Sequence, residues 1–441
     1  MTGETVDLTV HGIALGGSGV GRTESGQVVF VPGSVPGDRV RVELTERRKR
    51  WARGRILELY ERGPGRVEPT CGVFTMCGGC TLMHLDDQRQ LEALRQGVAD
   101  ALSRIGKVDV PVSPVIAGDR RLAYRNRVTF TLRRRGGRVF AGYHAASGGR
   151  VIDVVECPLA EPAINLAWRG LRAAWGPGAV RLPDGGEIRL TLRASGEGRV
   201  GLFVAGGRGG EAAADASRGV DAEARRLLRA VPEMAGYWWR PAEGERRLLA
   251  GDANLTDTWQ GVLLELGPEA FVQVNREVAD LIEAHLDAGL GDLAERTIVD
   301  LYGGVGLRGI RWAERGARAV TVESNSDAVQ TGREAAARVG SVCEFVKGRV
   351  EAALEGGVDT GADTLVVNPP RTGLSPEAAE LLCREGARRL VYVSCDPATL
   401  ARDVARLSGS WIPRSAQPFD AFPQTGHVET VLWLERAGGA A

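Results

Sequence analysis

A cysteine and a glutamate stand where predicted strands end and begin, and both side chains suit covalent catalysis. Cys395 follows the apolar run RRLVYVS and precedes an Asp-Pro turn, which places it at the carboxyl end of a buried strand. A thiolate is a strong nucleophile once its pKa is lowered. Glu429 begins the predicted strand VETVLWLE after a glycine turn, where it could act as a general base. A structural cysteine and a solvated glutamate are the plain alternatives.

A glycine-rich loop predicts a site for a nucleotide or nucleoside. VDLYGGVGLRGI places its glycines, Gly304 among them, directly after a predicted strand and before a helix, so the backbone can approach a ligand closely. Glu323 ends the next predicted strand, 23 residues after Asp300, where a carboxylate can accept hydrogen bonds from ribose hydroxyls. The pattern fits NAD, FAD and S-adenosylmethionine alike, and a tight turn without a ligand is the alternative.

Two amide side chains are predicted near the same crevice. Asn368 lies in VVNPPRTG, and the prolines that follow it fix an extended backbone at the carboxyl edge of the sheet. Gln273 is a polar residue in the run FVQVN, and it is either an exposed strand residue or a positioned amide. A primary amide both donates and accepts hydrogen bonds, so either residue could position a ligand.

Four cysteines predict a metal centre. Cys71, Cys77 and Cys80 lie close together among glycines, and Cys157 follows at a distance. Four thiolates suit a closed zinc site or a 4Fe–4S cluster, and their spacing does not select between the two.

The composition excludes several classes of protein. The 441 residues are enough for two or three domains, and 43% of them are hydrophobic, which excludes a wholly disordered chain. The 56 basic residues balance 56 acidic residues, so the net charge indicates no partner. No apolar run reaches about 18 residues, and the N-terminus has no secretory pattern, so we expect a cytoplasmic protein with no membrane partner.

The predicted elements divide the chain into three domains. Residues 1–62 carry the strand-like runs VDLTVHGIA, GQVVFVP, DRVRVEL and ARGRILELY between glycine turns, which predict a small OB-like β-barrel. Residues 63–255 combine the cysteines, a long helical segment and several strands, which predict an α+β domain with the metal cluster. Residues 256–441 alternate apolar runs with helices and predict a Rossmann-like, doubly wound α/β domain.

Two arginine-rich stretches favour RNA as a partner. Residues 41–55 carry seven basic and two acidic residues, a net of +5, and residues 118–150 carry nine arginines and one aspartate, a net of +8. The second stretch interleaves four aromatic residues with its arginines, a combination typical of surfaces that bind single-stranded or folded RNA. The alternative is a solvated face in an arginine-rich protein.

Together these motifs resemble the bacterial RNA uridine-5-methyltransferases over almost the whole chain. GIALGGSGVGR through ARGRILEL resembles the family's TRAM domain, an RNA-binding β-barrel, and YRNRVTFTLR resembles the start of its central domain, whose sheet helps to bind RNA. The matching cluster ligands are Cys71, Cys77, Cys80 and Cys157. The matching cofactor positions are Gln273, Tyr302, Gly304, Glu323 and Asn368, and the nucleophile and base are Cys395 and Glu429.

The resemblance implies a methyltransferase that acts on uracil C5 in RNA, with S-adenosylmethionine and a 4Fe–4S cluster as cofactors. Cys395 would attack C6, and Glu429 would remove the proton from C5. The resemblance favours 23S rRNA over tRNA as substrate, and we expect a monomer.

Three positions depart from the family's usual pattern. Asn368 stands where Asp is usual, Leu307 replaces an Asn after the glycine loop, and Arg349 lies near the expected adenine position. They motivate an alternative, an RNA-binding iron–sulfur protein with a degenerate transferase domain. A zinc protein with the same transferase chemistry is a further alternative.

Overall fold

The computed structural model describes residues 3–183, 187–206, 220–384 and 386–438. The described part of the chain forms a closed barrel, a central seven-stranded sheet, a two-stranded hairpin and a second seven-stranded sheet.

The N-terminal barrel closes in the order β1-β2-β3-β5-β4. Its strands are β1 (Thr5–Ile13), β2 (Gly19–Arg22), β3 (Val28–Val31), β4 (Arg39–Arg47) and β5 (Trp51–Glu61). Alternate apolar residues of these strands fill the barrel, among them Val10, Val29 and Val42. The predicted barrel is confirmed, but the sequence did not predict β2, because the segment GVGR has no run of strand-forming side chains.

A buried ion pair fixes the chain where it leaves the barrel. The Asp38 carboxylate accepts hydrogen bonds from the backbone of Val35 and Gly63 and pairs with Arg66. The first helix, α1 (Asp87–Arg104), begins where the Asp86 carboxylate accepts from Arg89 N and confirms the predicted helical segment.

The central sheet has the strand order β12-β11-β10-β9-β6-β7-β8. Its strands are β6 (Arg127–Arg135), β7 (Arg138–His144), β8 (Val151–Asp153), β9 (Glu187–Ala194), β10 (Val200–Gly206), β11 (Met234–Arg240) and β12 (Arg247–Gly251). Helices α2 (Pro162–Ala174) and α3 (Val220–Ala230) cover one face, and a 3₁₀ turn at Pro177–Ala179 follows α2. Alternate strand residues, Phe130 and Leu190 among them, pack against α2 and α3 and leave the opposite face of the sheet uncovered by these helices.

The C-terminal sheet has the order β17-β16-β15-β18-β19-β21-β20. The hairpin β13 (Leu255–Trp259) and β14 (Val262–Leu266) and the helix α4 (Arg276–Leu290) precede it. Its strands are β15 (Thr297–Leu301), β16 (Arg318–Glu323), β17 (Glu344–Lys347), β18 (Thr364–Val367), β19 (Arg389–Ser394), β20 (Trp411–Phe419) and β21 (Glu429–Arg436). Its helices are α5 (Leu307–Glu314), α6 (Ser326–Val339), α7 (Val350–Glu355), α8 (Pro376–Leu382) and α9 (Pro397–Leu407).

The predicted parallel sheet is confirmed for strands β15 to β19, whereas β20 and β21 extend it as an antiparallel edge. Helix α1 packs against α9, so the chain segment before the central sheet shares its core with the C-terminal sheet. Of the helices that the structure describes, none is long and apolar enough to cross a bilayer.

Candidate active site

The strand order brings the predicted catalytic pair to one edge of the C-terminal sheet. Strand β19 ends at Ser394, directly before Cys395, and its antiparallel neighbour β21 begins at Glu429. Because Ser394 is opposite Thr430 in the ladder, the backbones of Cys395 and Glu429 leave the sheet side by side. The two residues are therefore placed as neighbours, as the sequence predicts.

The Cys395 thiol is half-buried and protonated at rest. Burial, together with the negative charges of Glu429 and Asp396, raises its pKa to about 11, whereas Arg371 opposes the shift. Attack by the thiolate therefore requires that the proton leave when the substrate is bound.

Glu429 has the properties of a general base. It is 4% exposed, and burial raises its pKa to about 7, although Arg308 and Arg371 oppose the rise. Its Oε2 atom has no hydrogen-bond partner within the described part of the chain. A carboxylate that ionises near neutral pH with one free oxygen can take up a proton during a reaction.

The glycine loop lies at the end of β15, which is separated from the catalytic strand β19 by β18. Tyr302 and Gly304 have left-handed backbones, with φ of 61° and 59°, so the turn is sharp. The Gly304 N–H donates to Glu323 Oε2 at 3.1 Å, which places the glutamate of β16 beside the loop. Asn368, at the end of β18, donates its backbone N–H to Leu301 O at 3.2 Å. Four predicted cofactor residues therefore lie at the ends of three adjacent strands.

Gln273 lies in the segment between the hairpin and α4, and among the described residues the structure records a hydrogen bond only for its backbone carbonyl. Its carbonyl accepts from the Asn126 side chain at 2.8 Å, which attaches the segment to the central sheet. Asn275, two residues on, caps α4 by accepting from Val278 N at 3.3 Å and donates to Ala421 O at 3.4 Å. The segment is thus attached to the central sheet through Gln273 and to the C-terminal sheet region through Asn275.

Sequence reasoning missed three charged residues around the site. Asp300 is fully buried with a pKa raised by burial to about 7, and neither carboxylate oxygen has a partner within the described ranges. Arg308 donates to Glu283 at 2.8 Å and acts electrostatically on Asp300 and Glu429. Arg371 follows the Pro-Pro pair and acts on the catalytic pair. The position of Arg371 in the NPPR motif was a signal in the sequence. Arg308 has no such signal, because it is one of many arginines in predicted helices.

Two of the departures from the family pattern have plain structural accounts. Leu307 packs partly buried against an apolar cluster that includes Val305 and Ile310. Arg349 is exposed and pairs with Glu351 at 3.3 Å.

The four predicted ligand cysteines line one cavity. They are Cys71, Cys77, Cys80 and Cys157, which come together with Tyr143 and the half-buried Arg125. Burial raises the pKa of the Cys80 thiol to about 12 and raises that of Cys77 as well. Across the described ranges, no group of three or more Cys, His, Asp or Glu side chains has an arrangement that could hold a metal ion. The structure therefore shows the shared cavity and not a metal centre.

Intramolecular contacts engage part of both basic stretches. On the barrel, Arg41 pairs with Asp7 at 2.9 Å and Arg55 with Glu43 at 2.6 Å. On β6, the Arg134 guanidinium donates to carbonyl groups of the turn at residues 178–183. Charge counting in the sequence therefore overstates the free positive surface.

Arg134 and Arg135 therefore provide a matched pair of variants. We expect Arg134→Ser to lower the free energy of unfolding by about 2 kcal/mol, because it removes charged hydrogen bonds to the turn. Arg135→Ser, at an exposed end of β6, should leave stability unchanged and reduce the salt slope of RNA binding by about 1. Thermal melts and binding titrations at several salt concentrations measure both effects. An unchanged slope for Arg135→Ser would mean that this end of the strand does not contact RNA.

A parallel sheet whose strand β15 ends in a glycine loop, with an acidic residue at the end of the next strand, defines a Rossmann-like α/β domain suited to a nucleotide or nucleoside ligand. Residues 1–57 match the model of the TRAM domain, and residues 354–437 match that of the tRNA (uracil-5-)-methyltransferases.

Relatives match the chain from end to end. An uncharacterized RNA methyltransferase of Gloeobacter violaceus is 33% identical over 99% of this chain and 98% of its own length, and one of Thermosynechococcus vestitus is 34% identical over 98% of each. The crystal structure of a Pyrococcus abyssi tRNA (uracil-54, C5)-methyltransferase with S-adenosyl-L-homocysteine has a TM-score of 0.73 and 25% identity and covers 97% of this chain and 99% of its own.

The chain belongs to the RNA uracil-5-methyltransferase family and is an S-adenosylmethionine-dependent RNA methyltransferase. The predicted family, enzyme class and methyl donor are confirmed. Family membership favours the enzyme over the alternative of a degenerate transferase domain.

Proposed function

We propose that this protein methylates C5 of a specific uridine in RNA through a covalent bond between Cys395 Sγ and C6 of the base. The observation that carries the proposal is the pairing of Ser394 with Thr430, which sets the nucleophile beside Glu429.

The chemistry of uracil explains why a nucleophile and a base are both needed. C5 of uracil is a poor nucleophile, and addition of the Cys395 thiolate at C6 converts the base into an enolate whose C5 is nucleophilic. When bound, S-adenosylmethionine supplies an electrophilic methyl group. After methylation of C5, Glu429 accepts the C5 proton, and the electron pair of that C–H bond re-forms the C5–C6 double bond as Cys395 leaves. Cys395 leaves as a thiolate and takes back from water the proton that its thiol gave to water before the attack, which restores the resting thiol.

The residues of the glycine loop fit the methyl donor. A Cβ added at Gly304 would meet no atom within 4 Å among the described residues, so a ligand can approach the backbone. In the proposal, Tyr302 and Gly304 line the donor's site and Glu323 accepts from its ribose hydroxyls. Gln273 and Asn368 orient the donor and the uracil edge.

The target base must leave its stack to reach Cys395, because the nucleophile is half-buried at the sheet edge. We propose that the barrel and the central sheet hold the RNA around this base. The Pyrococcus relative is a tRNA methyltransferase. We nevertheless favour 23S rRNA on the resemblance described above, and we propose a monomer that acts in the cytoplasm.

Mapping 5-methyluridine in RNA from a strain that lacks the gene tests this function. Loss of one 5-methyluridine in 23S rRNA, restored by the gene and not by a Cys395→Ala copy, would support the proposal. Loss of 5-methyluridine from tRNA instead would support the same reaction with tRNA as the substrate. Unchanged 5-methyluridine in both RNAs would refute the function.

The cysteine cavity supports a second cofactor. We propose that Cys71, Cys77, Cys80 and Cys157 hold a structural 4Fe–4S cluster, because four thiols line a single cavity. We favour the cluster over zinc on the family resemblance described above. Methyl transfer needs no electrons, so the role is structural.

Replacing Cys80 with serine should remove the cluster and destabilise the protein, because binding of a structural metal centre contributes to folding free energy. The purified variant should lose the brown colour, iron and sulfide of the wild type and melt at a lower temperature. Cys383→Ser, at the end of α8, is the control and should keep the brown colour, the iron and the sulfide. Zinc in place of iron in the wild type, or turnover that requires a reductant, would contradict the proposal.

A further inference from the structure

The loop that leads into Glu429 contacts segments from the N-terminal half of the chain. Residues 420–428 join β20 to β21, and Glu429 is the first residue of β21. The loop lies against the barrel loop at Gly16 and Gly17, against Thr81 and against helix α1. Its position therefore depends on contacts that the C-terminal sheet does not provide.

Gln424 has a strained backbone that these contacts fix. Its φ is 71°, in the left-handed region that residues other than glycine rarely adopt. Its carbonyl accepts from Thr81 N at 3.1 Å and from Leu82 N at 3.0 Å, and its Oε1 accepts from Gln90 Nε2 at 3.0 Å. Strained residues persist only where several contacts hold them, and they are common at functional sites. The proposed base, Glu429, follows five residues later in the chain.

The Thr81 side chain contacts the loop at a second point, closer to the base. The Gly426 N–H donates to Thr81 Oγ1 at 2.9 Å, three residues before Glu429. A Cβ added at Gly426 would collide with the backbone of Gly16, and one added at Gly17 would collide with Thr81 Oγ1. The barrel loop, the Thr81 segment and the 420–428 loop are therefore packed too closely for the loop to shift freely.

Glu429 needs this support because it lies at an open end of the ladder. It pairs with Phe419 of β20, whereas the pairing with β19 begins one residue later, at Thr430. Its Oε2 has no hydrogen-bond partner within the described part of the chain, so no bond orients that oxygen. A general base must lie within hydrogen-bond reach of its proton, and a displacement of about 1 Å can lower a rate by about 10²-fold. The loop that leads into Glu429 therefore affects proton transfer.

We propose that Thr81 is a positioning residue for the reaction, because its hydroxyl holds the loop at Gly426 and thereby keeps Glu429 within reach of the C5 proton. The inference rests on the proposed function in taking Glu429 as the base. Thr81 directly follows Cys80, so one short segment joins the cysteine cavity to the loop that leads into the base.

Thr81→Val and Thr81→Ser in the full-length protein test this role. Valine has nearly the shape of threonine but cannot accept from Gly426 N, whereas serine keeps the acceptor. The assays are transfer of a labelled methyl group to total RNA from a strain that lacks the gene, and a denaturing gel for protein joined to that RNA. We expect Thr81→Val to lower kcat about tenfold at unchanged KM and to accumulate the adduct, because proton removal is slowed. Thr81→Ser should behave as wild type.

Thr70→Val is the matched control, because Thr70 lies in the same segment before α1 and its hydroxyl donates to the Met83 sulfur at 3.7 Å. It should keep wild-type turnover and accumulate no adduct. A thermal melt reports whether each variant folds. If Thr81→Val does not fold, Thr81→Ala also removes the hydroxyl and takes its place with the same expected results.

Transcripts of 23S rRNA and tRNA that carry 5-fluorouridine in place of uridine separate this inference from the proposed function, because their adduct is trapped without removal of a C5 proton. Thr81→Val should form this adduct as fast as wild type. A wild type that forms no such adduct would refute the covalent function and the inference with it. Wild-type turnover by Thr81→Val, or an equal loss in Thr81→Ser, would overturn the inference alone. Slower trapping by Thr81→Val would also overturn it, because the defect would precede proton removal.

Discussion

Cys395→Ala should lose methyl transfer by at least about 10⁴-fold while the protein stays folded. Removing a nucleophile from a covalent mechanism has effects of this order in other enzymes. The substitution deletes one half-buried sulfur at the end of β19 and breaks no ladder hydrogen bond. Transfer of a labelled methyl group to RNA measures the loss, and a thermal melt reports the fold.

Cys383→Ala is the control for this variant, because Cys383 is also half-buried but lies at the end of α8, away from the catalytic edge. It should keep full activity. Residual transfer by Cys395→Ala within about tenfold of wild type would exclude a covalent role for Cys395.

Glu429→Gln should reduce turnover by about 10²- to 10⁴-fold and make the protein–RNA adduct accumulate. The amide cannot accept the C5 proton, so Cys395 cannot leave. The carboxylate raises the pKa of the Cys395 thiol, so its removal does not hinder attack. A band of protein joined to RNA on a denaturing gel should appear with the natural substrate.

The pH dependence should change in the same variant. Glu429 acts as a base only when it is ionised, so wild-type turnover should rise with pH through about 7, and this inflection should be absent in Glu429→Gln. Glu435→Gln, at an exposed position of the same strand, is the control and should behave as wild type. Fast turnover without adduct in Glu429→Gln would assign the proton transfer to another group.

The sequence predicted which residues lie at the carboxyl edge of the sheet, because the signals for these positions are local. Cys395 and Asn368 each follow an apolar run and precede proline, and parallel strands present their carboxyl ends at one edge. The sequence predicted β21 only as a strand that begins near Glu429 at the edge of the sheet. It did not predict that β21 runs antiparallel to its neighbour and so places Glu429 beside Cys395. Its direction depends on the pairing with β19, which is a non-local property.

Features that depend on contacts between distant parts of the chain were not predictable. The hydrogen bond between Gly426 and Thr81 joins residues that are 345 positions apart. Charge counting treated every arginine as free positive charge. Arg134 instead donates hydrogen bonds to the carbonyl groups of a turn that is distant in sequence. The sequence did not predict strand β2, because two of its four residues are glycines and the segment has no alternation of apolar side chains. Its pairing with the neighbouring strands of the barrel makes it a strand.

The most direct test of the covalent mechanism uses RNA that carries 5-fluorouridine at the target position. Fluorine at C5 cannot leave as a proton does, so the base should stay bonded to the enzyme after methylation. The account predicts that digestion and mass spectrometry locate the modified nucleotide on the peptide that contains Cys395. Turnover of the natural RNA with no bond to the fluorinated RNA, or attachment to another residue, would contradict the account.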